Sequence, residues 1–171
     1  LGTRHQGFCS DVSRTWPSSG TFSKPAKAIY EIVLTAQKRT IQEIKPRVTL
    51  SYLHEVCRNH LIDGLLSKDI VKKGQISNLY SHKTSHWIGR LVHDHCPYIY
   101  SDKAPIQLAP GMTFTVEPGL YFKNIKSKFN GIGIRIEDVV LVTQDGSEVL
   151  SCAPKEIDEI EQIRSRAKTQ I

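Results

Sequence analysis

The hydrophobic positions in the first third of the chain follow a helical period. After Pro25 they recur at intervals of three or four residues, at Ile29, Ile32, Val33, Ala36 and Ile44. Ser23 stands where an N-cap is expected, Pro25 suits the first turn, and Pro46 cannot continue a helix. The pattern therefore predicts a helix from Pro25 to Lys45.

Two further segments have helical periodicity. From about Ser51 to Leu66, one apolar face is formed by Leu53, Val56, Cys57, Leu61 and Leu65. His54 and His60 lie in this segment, and we predict that both are ordinary surface or boundary residues without a chemical role. Near the C-terminus, the segment "KEIDEIEQIRSRA" carries a single stripe of Ile157, Ile160 and Ile163, which predicts an amphipathic helix.

The second half of the chain changes to a strand-like period. The segments "MTFTVEPGLYF" (112–122) and "GIGIRIEDVVLVT" (131–143) are rich in β-branched and aromatic residues and are predicted to be strands. Residues 7–13, "GFCSDVS", also alternate as a strand does, before Pro17 and Gly20 interrupt the pattern. Because helices come first and strands later, we expect antiparallel pairing and an α+β fold rather than a doubly wound sheet.

Strand alternation places acidic side chains opposite apolar ones. Glu117 shares a strand face with two threonines, and the other face of "MTFTVE" carries Met112, Phe114 and Val116. Glu137 likewise shares a face with Arg135, and the other face of "GIGIRIE" carries Ile132, Ile134 and Ile136. A buried carboxylate needs a partner, which for Glu117 could be a cation or Arg135. Asp11, in "CSDVSRTWP", is a third carboxylate beside apolar residues.

The composition is that of an ordinary globular protein and excludes several classes. A chain of 171 residues, 39% apolar and 23% charged, can form one domain with its own core. The net charge is +6, but the basic residues are scattered and not interleaved with aromatics, so no nucleic-acid partner is expected. No apolar run reaches the length of a membrane span. The four cysteines form no C-x-x-C, which argues against a zinc knuckle or redox pair and predicts reduced, mostly buried thiols.

Four of the seven histidines fall in one segment, "HKTSHWIGRLVHDH", residues 82–95. Gly89 interrupts it and it contains no H-E-x-x-H, so it is predicted to be extended or looped, with the histidines in separate roles. Carboxylates with one imidazole favour Mn²⁺, Co²⁺, Zn²⁺ or Fe²⁺, and bridging carboxylates can hold two ions about 3.5–4 Å apart. The pattern leaves a metal-free alternative open, in which Arg135 pairs with Glu137 or Asp138.

Four motifs occur in register along nearly the whole chain: "SDVSRTWP", "HKTSHWIGRLVHD", "LAPGMTFTVEPGLYF" and "GIGIRIEDVVLVT". In these motifs the chain resembles the aminopeptidase P family of pita-bread metallopeptidases, particularly its mitochondrial members of the Xaa-Pro aminopeptidase 3 and intermediate-cleaving type. The resemblance implies a pita-bread fold that is incomplete at its N-terminal side. Residues 1–171 would form the C-terminal part of the catalytic domain, without the N-terminal domain and the first part of the catalytic domain.

The same resemblance implies a metal site with named ligands. The family binds two divalent ions through two Asp, one His and two Glu, and the matching positions here are Asp11, His86, Glu117 and Glu137. The family's first Asp would fall immediately before Leu1, so we expect the native protein to be longer. Mn²⁺ is the expected ion, with Zn²⁺ or Co²⁺ as alternatives.

The resemblance also implies roles for residues around the metals. His82 and His93 would contact the substrate and stabilise the tetrahedral intermediate, with His93 a candidate proton shuttle. Arg135 would pair with active-site acids, whereas His95 is expected to be a surface histidine. Leu91 departs from the family, which usually has Asp there, and this predicts altered packing rather than lost chemistry.

The implied activity is metal-dependent removal of a single N-terminal residue from peptides or proteins, of Xaa-Pro type. A hydroxide bridging the two ions would attack the carbonyl, and Glu117 would be both ligand and general base. The expected partner is a peptide or protein N-terminus, a homodimer of the full-length protein is left open, and the expected location is mitochondrial, with cytoplasmic as the alternative. Other interpretations are a non-catalytic pita-bread binding module, a metal-free hydrolase like creatinase, or a fragment inactive for lack of the first Asp.

Overall fold

Helices precede most strands, as the sequence predicts for an α+β protein. The structure is a computed structural model that describes residues 1–72 and 78–168. Its helices are α1 (Lys24–Gln42), α2 (Leu50–Ser67) and α3 (Ile157–Lys168). Its strands are β1 (Arg4–His5), β2 (Phe8–Cys9), β3 (Thr113–Val116), β4 (Gly119–Tyr121), β5 (Gly133–Arg135), β6 (Asp138–Val142) and β7 (Ser147–Val149). In the described part of the chain, no helix is both long and apolar enough to cross a bilayer.

Helices α1 and α2 form a closely packed pair. The predicted N-cap of α1 is confirmed, because the Ser23 hydroxyl accepts a hydrogen bond from the Ala26 N–H at 3.3 Å. The predicted end at Lys45 is wrong: α1 stops at Gln42, where the next N–H turns back to carbonyls of the last turn. Gly64 of α2 lies directly against the Ile32 side chain of α1, so that the two helices approach each other closely.

The two long predicted strands are each broken in two, which is a correction to the sequence interpretation. Segment 112–122 divides at Glu117 into β3 and β4, since Pro118 has no N–H to continue the ladder. Segment 131–143 divides before β6, because the Glu137 N–H bonds to Ser13 O at 3.0 Å instead of to a neighbouring strand. Both carboxylates therefore stand at breaks between strands and not within a regular alternating face.

The strands form small antiparallel sheets. β6 is central to a three-stranded sheet of order β3-β6-β7, and β4 pairs with β5 in a second sheet. The register of β3 with β6 places Val116 opposite Asp138, directly before and after the two glutamates. The apolar residues Phe114, Val116, Val140 and Val142 are buried on one side of this sheet, as is Trp87. The second sheet packs with α1 and α2 through Leu120 and Ile134.

The N-terminal segment differs from its prediction as a single strand over residues 7–13. Only Phe8–Cys9 is a strand, paired with Arg4–His5, and Ser13 forms an isolated bridge with Glu137. The strands β1 and β7 were not predicted, because both are too short to give a periodic signal. All four cysteines are free, but Cys96 and Cys152 are exposed, so the prediction of mostly buried thiols is wrong.

Candidate metal centre

Four side chains from distant parts of the chain converge on one point. His86 Nε2 lies 3.6 Å from Asp11 Oδ2, 3.6 Å from Glu117 Oε1 and 3.9 Å from Glu137 Oε1. One ligand atom each from Asp11, His86 and Glu137 can be chosen so that all lie within 4.8 Å of one another. The four side chains are between 3% and 19% exposed. The structure thus brings together the four residues that the sequence analysis singled out as metal ligands.

Backbone hydrogen bonds hold these residues together. The Thr115 N–H donates to His86 O at 2.9 Å, and the Glu117 N–H donates to Thr84 O at 2.7 Å. Residues 84–87 therefore run beside β3 as an extended segment, and the prediction that this segment is not helical is confirmed. On the other side, the bridge between Ser13 and Glu137 fixes the Asp11 segment against the start of β6.

The His86 ring is oriented as a metal-binding imidazole would be. Its Nδ1 lies 3.0 Å from Trp87 O. Because a carbonyl only accepts, this contact places the ring proton on Nδ1 and leaves the Nε2 lone pair facing the carboxylates. This arrangement fits a cation between Nε2 and the acids.

The carboxylates lack a full complement of positive charge. Burial raises the pKa of Glu117 to about 7, together with the negative charges of Glu137 and Asp11, while Arg135 opposes the shift. Burial also raises the pKa of Glu137, again assisted by Asp11 and opposed by the Ser13 hydrogen bond and by His86. Crowded, buried carboxylates of this kind favour a divalent cation as their partner, so the residues present fit the metal that the sequence implies.

Glu137 is further held by a buried polar network. The Ser13 hydroxyl donates to Glu137 Oε2 at 2.5 Å, and Arg14 Nη1 donates to Glu137 O at 2.6 Å. Arg14 Nη2 also pairs with Asp138 at 2.6 Å, and the same fully buried carboxylate accepts from Lys155 and Gln37. The metal-free alternative, Arg135 paired with Glu137 or Asp138, is not what the structure shows: Arg135 pairs with Glu117, at 3.6 Å.

The predicted substrate-contacting residues border the same site. The His93 ring lies 4.4 Å from the His86 ring, edge to face. His82 Nδ1 contacts Lys83 O at 2.8 Å, and its Nε2 contacts the Tyr121 hydroxyl at 2.9 Å. Both ring nitrogens of His82 are therefore engaged within the protein. The Tyr121 hydroxyl also accepts from Arg135 Nε at 2.7 Å, so it ties His82 to Arg135.

A cavity of about 710 Å³ opens beside the carboxylates. Glu117, His86, His82, His93 and Arg135 line its polar end. The rest of its lining includes the apolar residues Leu50, Trp87, Tyr98, Ile99, Pro105 and Ile106 and the polar residues Ser51, His54, Glu55, Lys83, Thr84 and Ser85. The volume is ordinary for a pocket that takes a small ligand or a short peptide.

Several residues of this site were missed by sequence reasoning. Ser13 and Tyr121 have no signal of their own, because a single hydroxyl in a strand is common. His54 was predicted to have no role, yet it lines the cavity beside His82. Its position in the apolar pattern of α2 predicted only a residue at the boundary between core and surface. Its contact with Thr84 depends on tertiary structure and could not be predicted from that pattern.

Most of this chain is similar to proteins of one known family. The sequence profile of metallopeptidase family M24 matches residues 1–144. The chain belongs to this family. It is 38% identical over 166 residues to the Intermediate cleaving peptidase 55, mitochondrial, of Arabidopsis thaliana, covering 94% of this chain and 33% of that protein. It is 39% identical over 168 residues to the Xaa-Pro aminopeptidase of Haemophilus influenzae, covering 91% of this chain and 39% of that protein.

Solved structures of M24 relatives have the same fold. The aminopeptidase PepP of Pseudomonas aeruginosa superimposes with a TM-score of 0.89 at 37% identity, over 95% of this chain and 40% of that chain. The predicted likeness to aminopeptidase P and the pita-bread fold is thereby confirmed. The chain spans between a third and two fifths of the length of these relatives.

Proposed function

We propose that the protein carrying this chain is a metal-dependent aminopeptidase that removes one N-terminal residue, with Xaa-Pro peptides as substrates. The observation that carries the proposal is the convergence of Asp11, His86, Glu117 and Glu137 around His86 Nε2. Membership of a metallopeptidase family supports it, as do relatives named Xaa-Pro aminopeptidase. The charge and ligand chemistry suit two divalent ions, with Mn²⁺ as the first choice and Zn²⁺ or Co²⁺ as alternatives.

Glu117 and Arg135 have different roles in the proposed reaction. When bound, divalent ions lower the pKa of a water molecule and polarise a carbonyl oxygen. Glu117, with a pKa of about 7 before a cation binds, is placed to collect a proton and pass it to the leaving nitrogen. Arg135, 3.6 Å from Glu117, favours the ionised form of that carboxylate.

His93 and His82 serve the substrate in different ways. No hydrogen-bond acceptor for His93 occurs among residues 1–72 and 78–168, so its ring is available to donate to the oxyanion that develops on the carbonyl. Both ring nitrogens of His82 form contacts within the protein, with Lys83 O and the Tyr121 hydroxyl. His82 therefore offers the substrate the face or edge of a fixed ring. Both histidines lie on the cavity wall next to Glu117.

The test uses the whole protein that carries this chain. Chelation should abolish cleavage of an Ala-Pro-Ala peptide and added Mn²⁺ should restore it, with two ions bound per chain in calorimetry. Glu117→Gln should abolish turnover while leaving the fold intact, whereas Glu156→Gln, at an exposed surface ion pair, should leave turnover unchanged. Peptide binding without metal-dependent cleavage would favour the non-catalytic module instead.

The natural substrate and location are part of the same proposal. Peptides with proline after the scissile bond and peptides that begin with a bulky apolar residue should be compared side by side, because the apolar wall of the cavity suits either. A mitochondrial location is proposed on the likeness to the Arabidopsis thaliana peptidase, whose name states that location. Imaging of the tagged whole protein would test it against the cytoplasmic alternative.

A further inference from the structure

His54 is held on the cavity wall in a fixed orientation. It lies in the second turn of α2 and is partly buried. The Thr84 N–H donates to His54 Nδ1 at 3.3 Å, and the Thr84 hydroxyl lies 2.9 Å from the same nitrogen. A backbone N–H can only donate, so Nδ1 is the acceptor and the neutral ring carries its proton on Nε2.

The Nε2–H of His54 is a donor that the protein leaves open. Within residues 1–72 and 78–168, it has no acceptor at hydrogen-bond distance. Burial lowers the pKa of the ring, and the nearby Lys83 and Arg58 lower it further against the opposing effect of Glu55. The ring is therefore neutral at neutral pH and presents a fixed donor to the cavity that Glu117 also lines.

A row of rings connects His54 to the reacting end of the cavity. Ring centroids are 5.6 Å apart between His54 and Tyr80, 5.1 Å between Tyr80 and His82, and 5.6 Å between His82 and Tyr121. An extended peptide advances about 3.3 Å per residue. His54 is thus within reach of a tripeptide whose scissile bond lies next to His82 and Glu117.

Charged side chains line the cavity near both His54 and Glu117. Arg135 stands beside Glu117, and the exposed Lys83 lies next to His82 on the same wall. Both cations attract carbonyl oxygens and a terminal carboxylate, whereas Glu55, which lines the cavity next to His54, opposes the approach of a carboxylate. Removal of a single residue also needs room for only one residue on the N-terminal side of the scissile bond, so the wall that His54 and Lys83 line is left for the rest of the peptide.

We propose that His54, together with Lys83, forms a subsite for the peptide beyond the scissile bond, in which His54 Nε2–H donates to a peptide oxygen. The oxygen belongs either to a backbone carbonyl or to the terminal carboxylate of a tripeptide. This inference rests on the proposed aminopeptidase function and adds the part of the substrate that α2 recognises. His54 here is a binding residue and takes no part in proton transfer.

The experiment compares two substitutions at His54 in the metal-loaded whole protein. His54→Leu should raise KM for Ala-Pro-Ala about three- to tenfold, the effect of one lost hydrogen bond, with kcat little changed. The dipeptide Ala-Pro should be unaffected, because it ends before the subsite. His54→Gln, which keeps an N–H donor, should restore most of the loss. His60→Leu is the matched control, since His60 lies on the same helix outside the cavity lining.

The terminal amide of Ala-Pro-Ala separates the two kinds of oxygen. If the carboxylate is the acceptor, the amide should bind weakly to the unsubstituted protein and His54→Leu should change it no further. If a backbone carbonyl is the acceptor, acid and amide should lose affinity equally. Unchanged KM for every tripeptide in His54→Leu, or an equal change for the dipeptide, overturns the subsite.

Binding measurements separate failure of the subsite from failure of the proposed function. Calorimetry with the product Pro-Ala measures the subsite without turnover, and the affinity for Mn²⁺ and the melting temperature check that each variant is folded. Product binding that His54→Leu weakens, in a protein without peptidase activity, would refute the function and keep the subsite. Active protein with unchanged product binding would refute the subsite alone, and absence of both binding and cleavage would refute both.

Discussion

Arg135 faces Glu117 with its Nη1 3.6 Å from Glu117 Oε2, yet the pKa of Glu117 is raised to about 7. Burial and the neighbouring Glu137 outweigh the guanidinium. A raised carboxyl pKa means that the metal-free fold binds this proton more tightly than the unfolded chain does. Glu117 has no effect on the free energy of unfolding below pH 4.5. As the pH rises to about 7, it lowers the free energy of unfolding of the metal-free protein by on the order of 3 kcal/mol.

Glu117→Gln should therefore stabilise the metal-free protein, and more so at pH 8 than at pH 5. Burial lowers the pKa values of His54 and His82, so these two histidines make the folded protein less stable as the pH falls. Their effect cancels when the variant is compared with the unsubstituted protein at the same pH. Urea denaturation of chelated protein across this pH range measures the difference. A difference in unfolding free energy that does not vary with pH would contradict the raised pKa.

Ser13→Ala should weaken metal binding without unfolding the protein. The hydroxyl donates to Glu137 Oε2 at 2.5 Å and so orients that carboxylate. Loss of such a supporting bond typically lowers metal affinity about 10- to 100-fold. Calorimetric titration of Mn²⁺ into the chelated protein would measure this, with Ser147→Ala as a control, since that hydroxyl bonds to Ile41 O instead. Equal affinities in the two variants would remove Ser13 from this role.

Asp138→Asn should cost about 3–5 kcal/mol of unfolding free energy. Asp138 is fully buried and accepts from Arg14, Lys155 and Gln37, so neutralising it leaves two cations without their counter-charge. Glu156→Gln, which breaks the exposed pair with Lys38, should cost no more than about 1 kcal/mol. Chemical denaturation of both variants measures the two losses of unfolding free energy. Similar losses would show that the buried network stabilises the protein no more than an exposed ion pair does.

Gly64→Ala should destabilise the α1–α2 pair by about 1–3 kcal/mol, because a Cβ there would collide with the Ile32 side chain. Ile32→Ala removes the colliding atoms at the expense of core volume. A double-mutant cycle measured by thermal unfolding should show a favourable coupling between the two substitutions. Strictly additive costs would mean that the helices move apart to accommodate the extra methyl group.

The sequence predicted the helices well because their apolar periodicity and caps are local. Ser23 and the apolar row of α1 define its start without tertiary information. The strands were predicted less well than the helices. A continuous β-branched pattern runs through Glu117 and Glu137, so the two breaks give no signal in the apolar pattern. Those breaks depend on Pro118 and on the distant Ser13, and only the latter lies outside the local sequence.

The sequence identified the four candidate ligands that the structure brings together, but not the residues around them. Asp11, His86, Glu117 and Glu137 were found through family motifs, whereas residue patterns alone left a metal and ion pairs as equal alternatives. His54 gave no signal, since a histidine at the edge of an apolar helix face is usually a boundary residue. Its significance comes from Thr84, which is remote in sequence and reaches it only after folding.

The backbone hydrogen bonds from Glu117 to Thr84 and from Glu137 to Ser13 link metal binding to the stability of the folded protein. Each joins segments far apart along the chain, so a denatured molecule offers no two of the four candidate ligands side by side. A cation held here would consequently recognise the native state alone, and all of its affinity would count against unfolding. Starvation for that ion should then shorten the half-life of the protein under heat or protease attack, independently of any effect on catalysis.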